Sequence, residues 1–233
     1  MLLRSHLKYL RYFYTAFFFL GLASTFGCGF AGSNSDLPNA SPANPNVVSL
    51  DPHNWYILYS NGVGPHPSSD PAEGAWSIAF PGDNNTAGIG HLNYVQTPFD
   101  ATKTPQAVTI TFKVESTNPQ YEVFGDTLPA TFRLYLERKD DLDLQNPNGR
   151  WWANGSKYDL GPQDNQVHVI TVPLTPDKWS NVYGKFDTKA FESALANVGW
   201  FGLTFGGQDF AGHGVALTSG TSKFILINYE VVD

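Results

Sequence analysis

The sequence predicts an all-β protein: a jelly-roll-like antiparallel β-sandwich with one short helix near residues 187–196. Aromatic residues are abundant, with 17 Phe, 11 Tyr and 6 Trp, and so are turn-forming residues, with 22 Gly and 16 Pro. This composition is typical of many short strands joined by tight turns. The chain shows no strand–helix–strand alternation, so a parallel sheet is not expected.

The clearest strand is 108–114, where apolar residues alternate with Thr and Lys. Residues 131–137 repeat this pattern. Further strands are predicted at 55–59, 75–80, 167–172, 200–205, 215–217 and 223–231. The apolar sides of these strands should form the core, and we expect burial of Ile110, Phe112, Phe132, Leu134 and Leu203.

A single helix interrupts the strands. Asp187 can accept a hydrogen bond from the first turn of a helix that begins at Thr188. Phe191 and Leu195, four residues apart, then share one helical face. We expect this face to pack against the sheets.

The N-terminus has the pattern of an export signal. Residues 1–15 are basic and aromatic, and the apolar run Ala16–Phe26 has 11 residues, too few to span a bilayer. The only cysteine, Cys28, follows Gly27 directly. This resembles a bacterial lipobox, although Thr25 and Phe26 depart from its usual residues. The pattern predicts a lipoprotein-type signal peptide at 1–27 and acylation of Cys28. An uncleaved anchor and ordinary cleavage after Ala31 remain alternatives.

Residues 28–46 are rich in Gly, Ser, Asn, Ala and Pro without periodicity. They predict a flexible linker, and the β-sandwich domain is expected at 47–233. A linker after a lipidated cysteine would hold the domain away from a membrane. The predicted location is therefore the cell envelope, as an outer-membrane lipoprotein, with a periplasmic or secreted protein as the alternative.

The charge distribution argues against two classes of partner. The formal net charge is −7, and the first 27 residues contain three basic residues and no acidic ones. The rest of the chain has 11 basic and 21 acidic residues. A protein that binds nucleic acids or anionic lipid surfaces needs a cluster of Lys and Arg side chains. We therefore expect no nucleic-acid partner, and membrane contact through the lipid anchor alone.

A tryptophan near the first strand, short strands and a long last strand resemble the galactose-binding-like jelly roll, which many carbohydrate-binding modules of secreted bacterial proteins share. The segments 179–184, 202–207 and 212–215 are also similar to segments of bacterial secreted proteins. The resemblance covers about residues 47–233. It implies a binding module and supplies no ligand residues, since a fold does not determine a function.

The tandem Trp151-Trp152, between Arg150 and Asn154, is the first candidate ligand site. Adjacent side chains in an extended chain point in opposite directions. One indole is therefore expected in the core and the other in solvent, where its flat face suits the C–H face of a sugar. Arg150 and Asn154 would bind hydroxyl groups. The alternative is that both indoles only pack.

The Gly-rich segment 206–214 supplies the last candidate, His213, which lies between two glycines. Backbone can approach a ligand closely at such positions. The alternative is a plain strand connection. The six histidines show no metal-ligand spacing, so no metal site or cofactor is predicted.

Acidic residues suggest two further alternatives. Asp140, Asp141 and Asp143 resemble half of a calcium loop, but the rest of that pattern is missing. A solvated acidic turn is favoured, with a structural calcium ion as the alternative. The candidates for a pair of carboxylates that cleaves a glycoside are Glu73, Glu115, Glu137 and Asp209. The favoured interpretation is that each is an ordinary surface residue.

The favoured function is a surface-tethered, non-catalytic module that binds a glycan or a cell-surface polymer. A structural or protein-interaction lipoprotein without sugar affinity is the first alternative, and it predicts that all six Trp are buried. A glycan-active enzyme is the second, and it needs two carboxyl groups in one cleft. The sugar hypothesis needs an accessible aromatic platform beside polar groups.

Overall fold

The structure is a computed structural model that describes residues 48–82, 88–100, 103–141, 146–162, 165–208 and 212–232. The signal peptide, Cys28 and the linker lie outside these residues and stay predictions. The chain divides into two compact units, and every described residue belongs to the second, Pro42–Asp233. No helix among the described residues is long and apolar enough to cross a membrane.

Thirteen strands and one α-helix are present in the described part of the chain. The strands are β1 (Tyr56–Tyr59), β2 (Gly62–Val63), β3 (Ser68–Ser69), β4 (Trp76–Ala79), β5 (Leu92–Pro98), β6 (Ala107–Val123), β7 (Thr131–Arg138), β8 (Arg150–Ala153), β9 (Tyr158–Asp159), β10 (Val167–Pro173), β11 (Trp179–Asn181), β12 (Val198–Gly206) and β13 (Val215–Val232). The helix α1 spans Thr188–Ala196, and a single 3₁₀ turn spans Pro52–Asn54.

The strands form two antiparallel sheets. The first sheet has the order β3-β4-β13-β6-β10. The second has the order β2-β1-β5-β12-β7-β8-β11, and β9 also pairs with β7. The sheets are joined where Val215, at the start of β13, pairs with Leu92, at the start of β5.

The two sheets pack face to face through aromatic side chains. Phe112 of β6 and Phe224 of β13 contact Phe132 of β7, with ring centroids 4.8 and 5.2 Å apart. Phe205 of β12 contacts Phe224 from the second sheet. The predicted antiparallel sandwich is therefore confirmed. The predicted core residues are also confirmed, since all five are buried: Ile110, Phe112, Phe132, Leu134 and Leu203.

The helix lies where the sequence predicts it. The Asp187 carboxylate accepts a hydrogen bond from the backbone N–H of Ala190, which satisfies one of the unpaired donors of the first turn. Phe191 is buried against Trp151 and Trp179, with ring centroids 5.2 and 6.0 Å apart. The helix thus covers the β8–β11 edge of the second sheet.

The last strand differs from its prediction. Residues 215–217 and 223–231 belong to one strand, β13, which pairs with β6 along almost its whole length. The polar stretch between them contains Gly220, whose φ is +76°, and the pairing register shifts on both sides of Ser219. Bulges of this kind let a strand continue through residues that interrupt its alternation.

Candidate functional site

The candidate site is the outer face of the second sheet, the face turned away from the first sheet. In β12, Phe201 and Leu203 are buried between the sheets. Because successive residues of a strand point to opposite faces, Trp200, Gly202 and Thr204 lie on the outer face. The pairing register then assigns the residues of the neighbouring strands to the same face.

One row of outer-face residues crosses the whole sheet. From β1 to β11 it runs through Tyr56, Gln96, Gly202, Tyr135, Trp152 and Ser180, each paired with the next. Strand spacings of about 4.8 Å make this row roughly 24 Å long. Gly202, in the middle, has no side chain, and a Cβ there would collide with the backbone of Val95 and Gln96. The row therefore carries no side chain at its centre.

Aromatic rings follow this row and its neighbours. Tyr94 contacts Tyr135 with ring centroids 5.0 Å apart, and Tyr135 contacts Trp152 at 6.0 Å. Towards the β1 edge, Tyr56 contacts Trp200 edge-on at 5.8 Å. Tyr56 is 39% exposed and Trp200 is half-buried, whereas Tyr135 and Trp152 are buried. The rings that a ligand can reach are thus at the β1–β12 side.

A charged cluster lies beside the aromatic rings. The Tyr135 hydroxyl donates a hydrogen bond to Glu137 Oε2. Arg150 Nε lies 2.8 Å from Asp141 Oδ2 and 3.9 Å from Glu137 Oε2. Burial raises the pKa of Tyr94 to about 12, and burial together with the Glu137 carboxylate raises the pKa of Tyr135 well above its ordinary value of 10.0. Both phenols therefore stay protonated at neutral pH and can donate hydrogen bonds.

Two connections border the outer face. After β12, Gln208 accepts a hydrogen bond from Arg133 Nη2 through its carbonyl oxygen, and a side chain at Gly212 would collide with the Tyr94 hydroxyl. On the other side, Gly149 has room for only a hydrogen atom beside Asp141. Gly149 and Gly212 thus pack closely against Asp141 and the Tyr94 hydroxyl.

Within the row, two buried polar atoms have no hydrogen-bond partner among the described residues: the indole nitrogen of Trp152 and the amide oxygen Oε1 of Gln96. Both residues belong to the same row, on opposite sides of Gly202. A buried polar group without a partner costs about 1–3 kcal/mol. Groups of this kind are retained where a ligand or water satisfies them.

The structure separates the residues of the predicted site. Trp151 faces inwards and is fully buried against α1, with its indole N–H donating to the carbonyl of Asn148. Trp152 faces outwards, as alternation requires, yet is only 5% exposed. The expectation that one indole is exposed is therefore wrong. The ring of Tyr135 packs on the second indole, with ring centroids 6.0 Å apart. Trp151-Trp152 therefore does not form an open platform.

The other predicted site residues are distributed as follows. Arg150 lies on the outer face beside Glu137, and Asn154 lies next to Arg133, with 3.4 Å between Asn154 Oδ1 and Arg133 Nη1. His213 is half-buried near Gly125, and burial lowers its pKa. Ligand binding by any of these residues stays a prediction.

Sequence reasoning missed most residues of the outer face. Tyr56, Gln96, Tyr135 and Trp200 come from four strands and show no motif. The only usable signal was that four outward positions of 131–137 and 200–205 carry large polar or aromatic residues, Arg133, Tyr135, Glu137 and Trp200.

The candidate carboxylates that the structure describes do not form an open catalytic pair. Glu137 and Asp141 both contact Arg150, but the Asp141 side chain is only 1% exposed. Asp140 pairs with Arg138, and Glu73 and Glu115 pair with Lys113. Asp143 and Asp209 lie outside the described residues. Within the described ranges, no group of three or more His, Cys, Asp or Glu side chains is arranged for a metal ion.

Glu137 should make the stability of the protein depend on pH. Burial raises its pKa above the ordinary value of 4.5, against the opposing effects of the Tyr135 hydroxyl and Arg150. The folded state therefore holds this proton more tightly than the unfolded chain does. Stability from this group is present at low pH and is lost as the pH rises from about 4.5 through the raised pKa.

We expect urea unfolding to show this effect by comparison with Glu137→Gln. As the pH rises through this window, the free energy of unfolding of the variant should increase relative to that of the wild type. The exposed Glu192→Gln serves as the control and should run parallel to the wild type. A Glu137→Gln difference that stays constant with pH would contradict the assignment.

Comparisons with known proteins give similarities to solved structures alone. No protein family matches the chain, and no curated protein matches it. Among solved structures, the chain is similar to one described as "xylan-binding module CBM15", with 12% sequence identity and a TM-score of 0.39. The match covers 77% of this chain and 94% of that one. Similarity at this level assigns neither a ligand nor a site to this chain.

Proposed function

We propose that this protein is a non-catalytic module that binds a glycan on the outer face of the second sheet. The observation that supports this most is the row from Tyr56 to Ser180. It has the exposed ring of Tyr56 at one edge, in contact with Trp200, and buried hydrogen-bonding groups towards its centre.

The chemistry of the row suits a sugar. The rings of Tyr56, in the row, and of Trp200, beside it, offer apolar surface for the C–H groups of a pyranose. A sugar reaches the Gln96 amide and the Trp152 indole N–H only if the groups that cover them move, because both side chains are buried. Sites that combine apolar surface with a few fixed polar groups provide both affinity and orientation for a small ligand.

Charge favours a neutral glycan. Residues 28–233 carry 21 acidic and 11 basic side chains, so the protein repels polyanions at long range. On the outer face, the Arg150 guanidinium is already paired with Asp141 and lies near Glu137.

A second candidate function is contact with another protein. The turn after β11 exposes Tyr183 (64%), Phe186 (57%) and Val182. The turn is held in place by Asn181, whose side chain accepts hydrogen bonds from the backbone of Tyr183 and Lys185. Fixed, exposed aromatic residues are typical of interaction surfaces.

A glycan array probed with the full-length protein tests the proposal. We expect binding to one group of related neutral glycans, and Trp200→Ala should lower the affinity for them at least tenfold. Tyr183→Ala is the matched control, because it removes an exposed aromatic ring of the turn and should leave glycan binding unchanged. If no glycan binds, or if only Tyr183→Ala reduces binding, the outer face is not the glycan site.

We also propose that the domain is tethered to a membrane through acylated Cys28, as an exported envelope lipoprotein. The support is the apolar run before Cys28 and the aperiodic linker after it. Cells that express the protein and are fed a palmitate analogue should label the wild type and not Cys28→Ser. Equal labelling of both proteins would rule out this anchor.

A further inference from the structure

Two histidines from separate segments meet at the surface of the domain. His53 lies in the 3₁₀ turn before β1, and His66 lies between β2 and β3. Their ring centroids are 5.8 Å apart, the rings are tilted by 49°, and both residues are exposed. Metal–nitrogen bonds of about 2.0–2.1 Å place two imidazoles that share one ion with their centroids roughly 5–6 Å apart. The observed separation falls within the range of a chelating pair.

Hydrogen bonds determine which nitrogen of each ring is available. His66 Nδ1 lies 2.7 Å from the carbonyl oxygen of Trp55, and His53 Nδ1 lies 3.0 Å from Asp51 Oδ1. Carbonyl and carboxylate oxygens only accept hydrogen bonds, so Nδ1 must carry the proton in both rings. In each neutral imidazole, Nε2 is then left with a free lone pair, which is the form that binds metal ions.

The partners of the two Nδ1 atoms are those of metal-ligating histidines. Such histidines usually donate their second N–H to a carboxylate or a backbone carbonyl, which fixes the ring and raises its basicity. Here His53 uses Asp51, and His66 uses Trp55. The Asp51 carboxylate also places a negative charge next to the pair. By contrast, His91 directs its Nε2 at Glu122, 3.2 Å away.

We propose that His53 and His66 form a surface site for a divalent transition-metal ion, bound through the two Nε2 atoms. Since the described residues contain no third ligand in a metal-binding group, water or an external ligand completes the coordination. A site of two imidazoles should bind Cu²⁺ more tightly than Zn²⁺. The tight contact of His66 with Tyr56, 5.4 Å between ring centroids, places the ion beside the β1 edge of the outer face.

Titration calorimetry with Cu²⁺ and with Zn²⁺ tests this proposal on the full-length protein without an affinity tag. We expect one site in the wild type whose affinity falls at least tenfold in His53→Ala and in His66→Ala. The control His91→Ala removes a histidine whose Nε2 is already engaged, and it should bind like the wild type. His66→Gln provides a second variant that keeps a donor for the Trp55 carbonyl without offering an imidazole.

The paramagnetic resonance spectrum of the Cu²⁺ complex gives an independent readout. Two bound imidazoles should produce nitrogen hyperfine splitting that is reduced in each single variant. Wild-type protein that binds neither ion, or binding that is unchanged in His53→Ala or in His66→Ala and His66→Gln, would overturn the proposal. These measurements use the metal alone, so they do not depend on whether a glycan binds.

Discussion

Replacing Phe201 by alanine is expected to lower the free energy of unfolding by about 3–5 kcal/mol, because its ring is fully buried against Phe99 at a centroid distance of 4.8 Å. Trp200→Ala, one residue earlier on β12, should cost about half as much or less, since Trp200 faces outwards and is half-buried. Urea unfolding of the two variants measures the difference.

This pair tests the orientation of β12 on which the candidate site depends. Trp200→Ala should remove glycan binding from a protein that is still folded, whereas Phe201→Ala should weaken the fold. If Trp200→Ala is as destabilising as Phe201→Ala, Trp200 faces the core and the outer face is assigned incorrectly.

Replacing either Trp151 or Trp152 by alanine should lower the free energy of unfolding by about 3–5 kcal/mol. Trp151 fills the space between β8 and α1, where it contacts Phe191 and donates to the Asn148 carbonyl. Trp152 packs on Tyr135 on the opposite face. Thermal or urea unfolding that leaves either alanine variant near wild-type stability would show that this indole is not packed as described.

A conservative variant separates the two roles of Trp152. Trp152→Phe keeps an aromatic ring but removes the indole N–H, which has no partner among the described residues. Its stability should stay within about 1.5 kcal/mol of the wild type, because the lost volume is offset by removing a buried donor. Glycan affinity should fall if this N–H binds the ligand. The matched change Trp151→Phe breaks the bond to Asn148 and should destabilise without that specific loss.

The sequence predicts the parts of the fold in which one face of a strand is polar. Strand β6 is the clearest case, because its outward Thr109, Thr111 and Lys113 alternate with buried residues. The helix was also predictable, since its cap and its apolar spacing are both local features. The five expected core residues follow directly from such patterns.

Strands with two buried faces were harder to predict. In β5, Gln96 and Thr97 are both buried although one faces the core and the other faces outwards, so no alternation is visible. Trp151 and Trp152 are a second example. The sequence predicted that their side chains point to opposite faces, but not that both indoles are buried. Alternation reports differences in burial between the two faces, and here there is almost none.

The candidate site was mostly invisible in the sequence for a related reason. Its row combines single residues from six strands, and only the pairing register places Tyr56, Gln96 and Trp152 in line. Glu137 was expected at the plain surface, yet it pairs with buried groups around Arg150. Neither relationship can be derived from spacing along the chain.

The indole N–H signals of the six tryptophans, recorded by ¹H–¹⁵N NMR during titration with a glycan from the array, test the central claim most directly. Trp200 and Trp152 lie on the outer face and should shift with glycan concentration. Trp55, Trp76 and Trp179 are buried elsewhere and should not shift. Glycan binding that leaves the indole signals of both Trp200 and Trp152 unchanged would contradict the account.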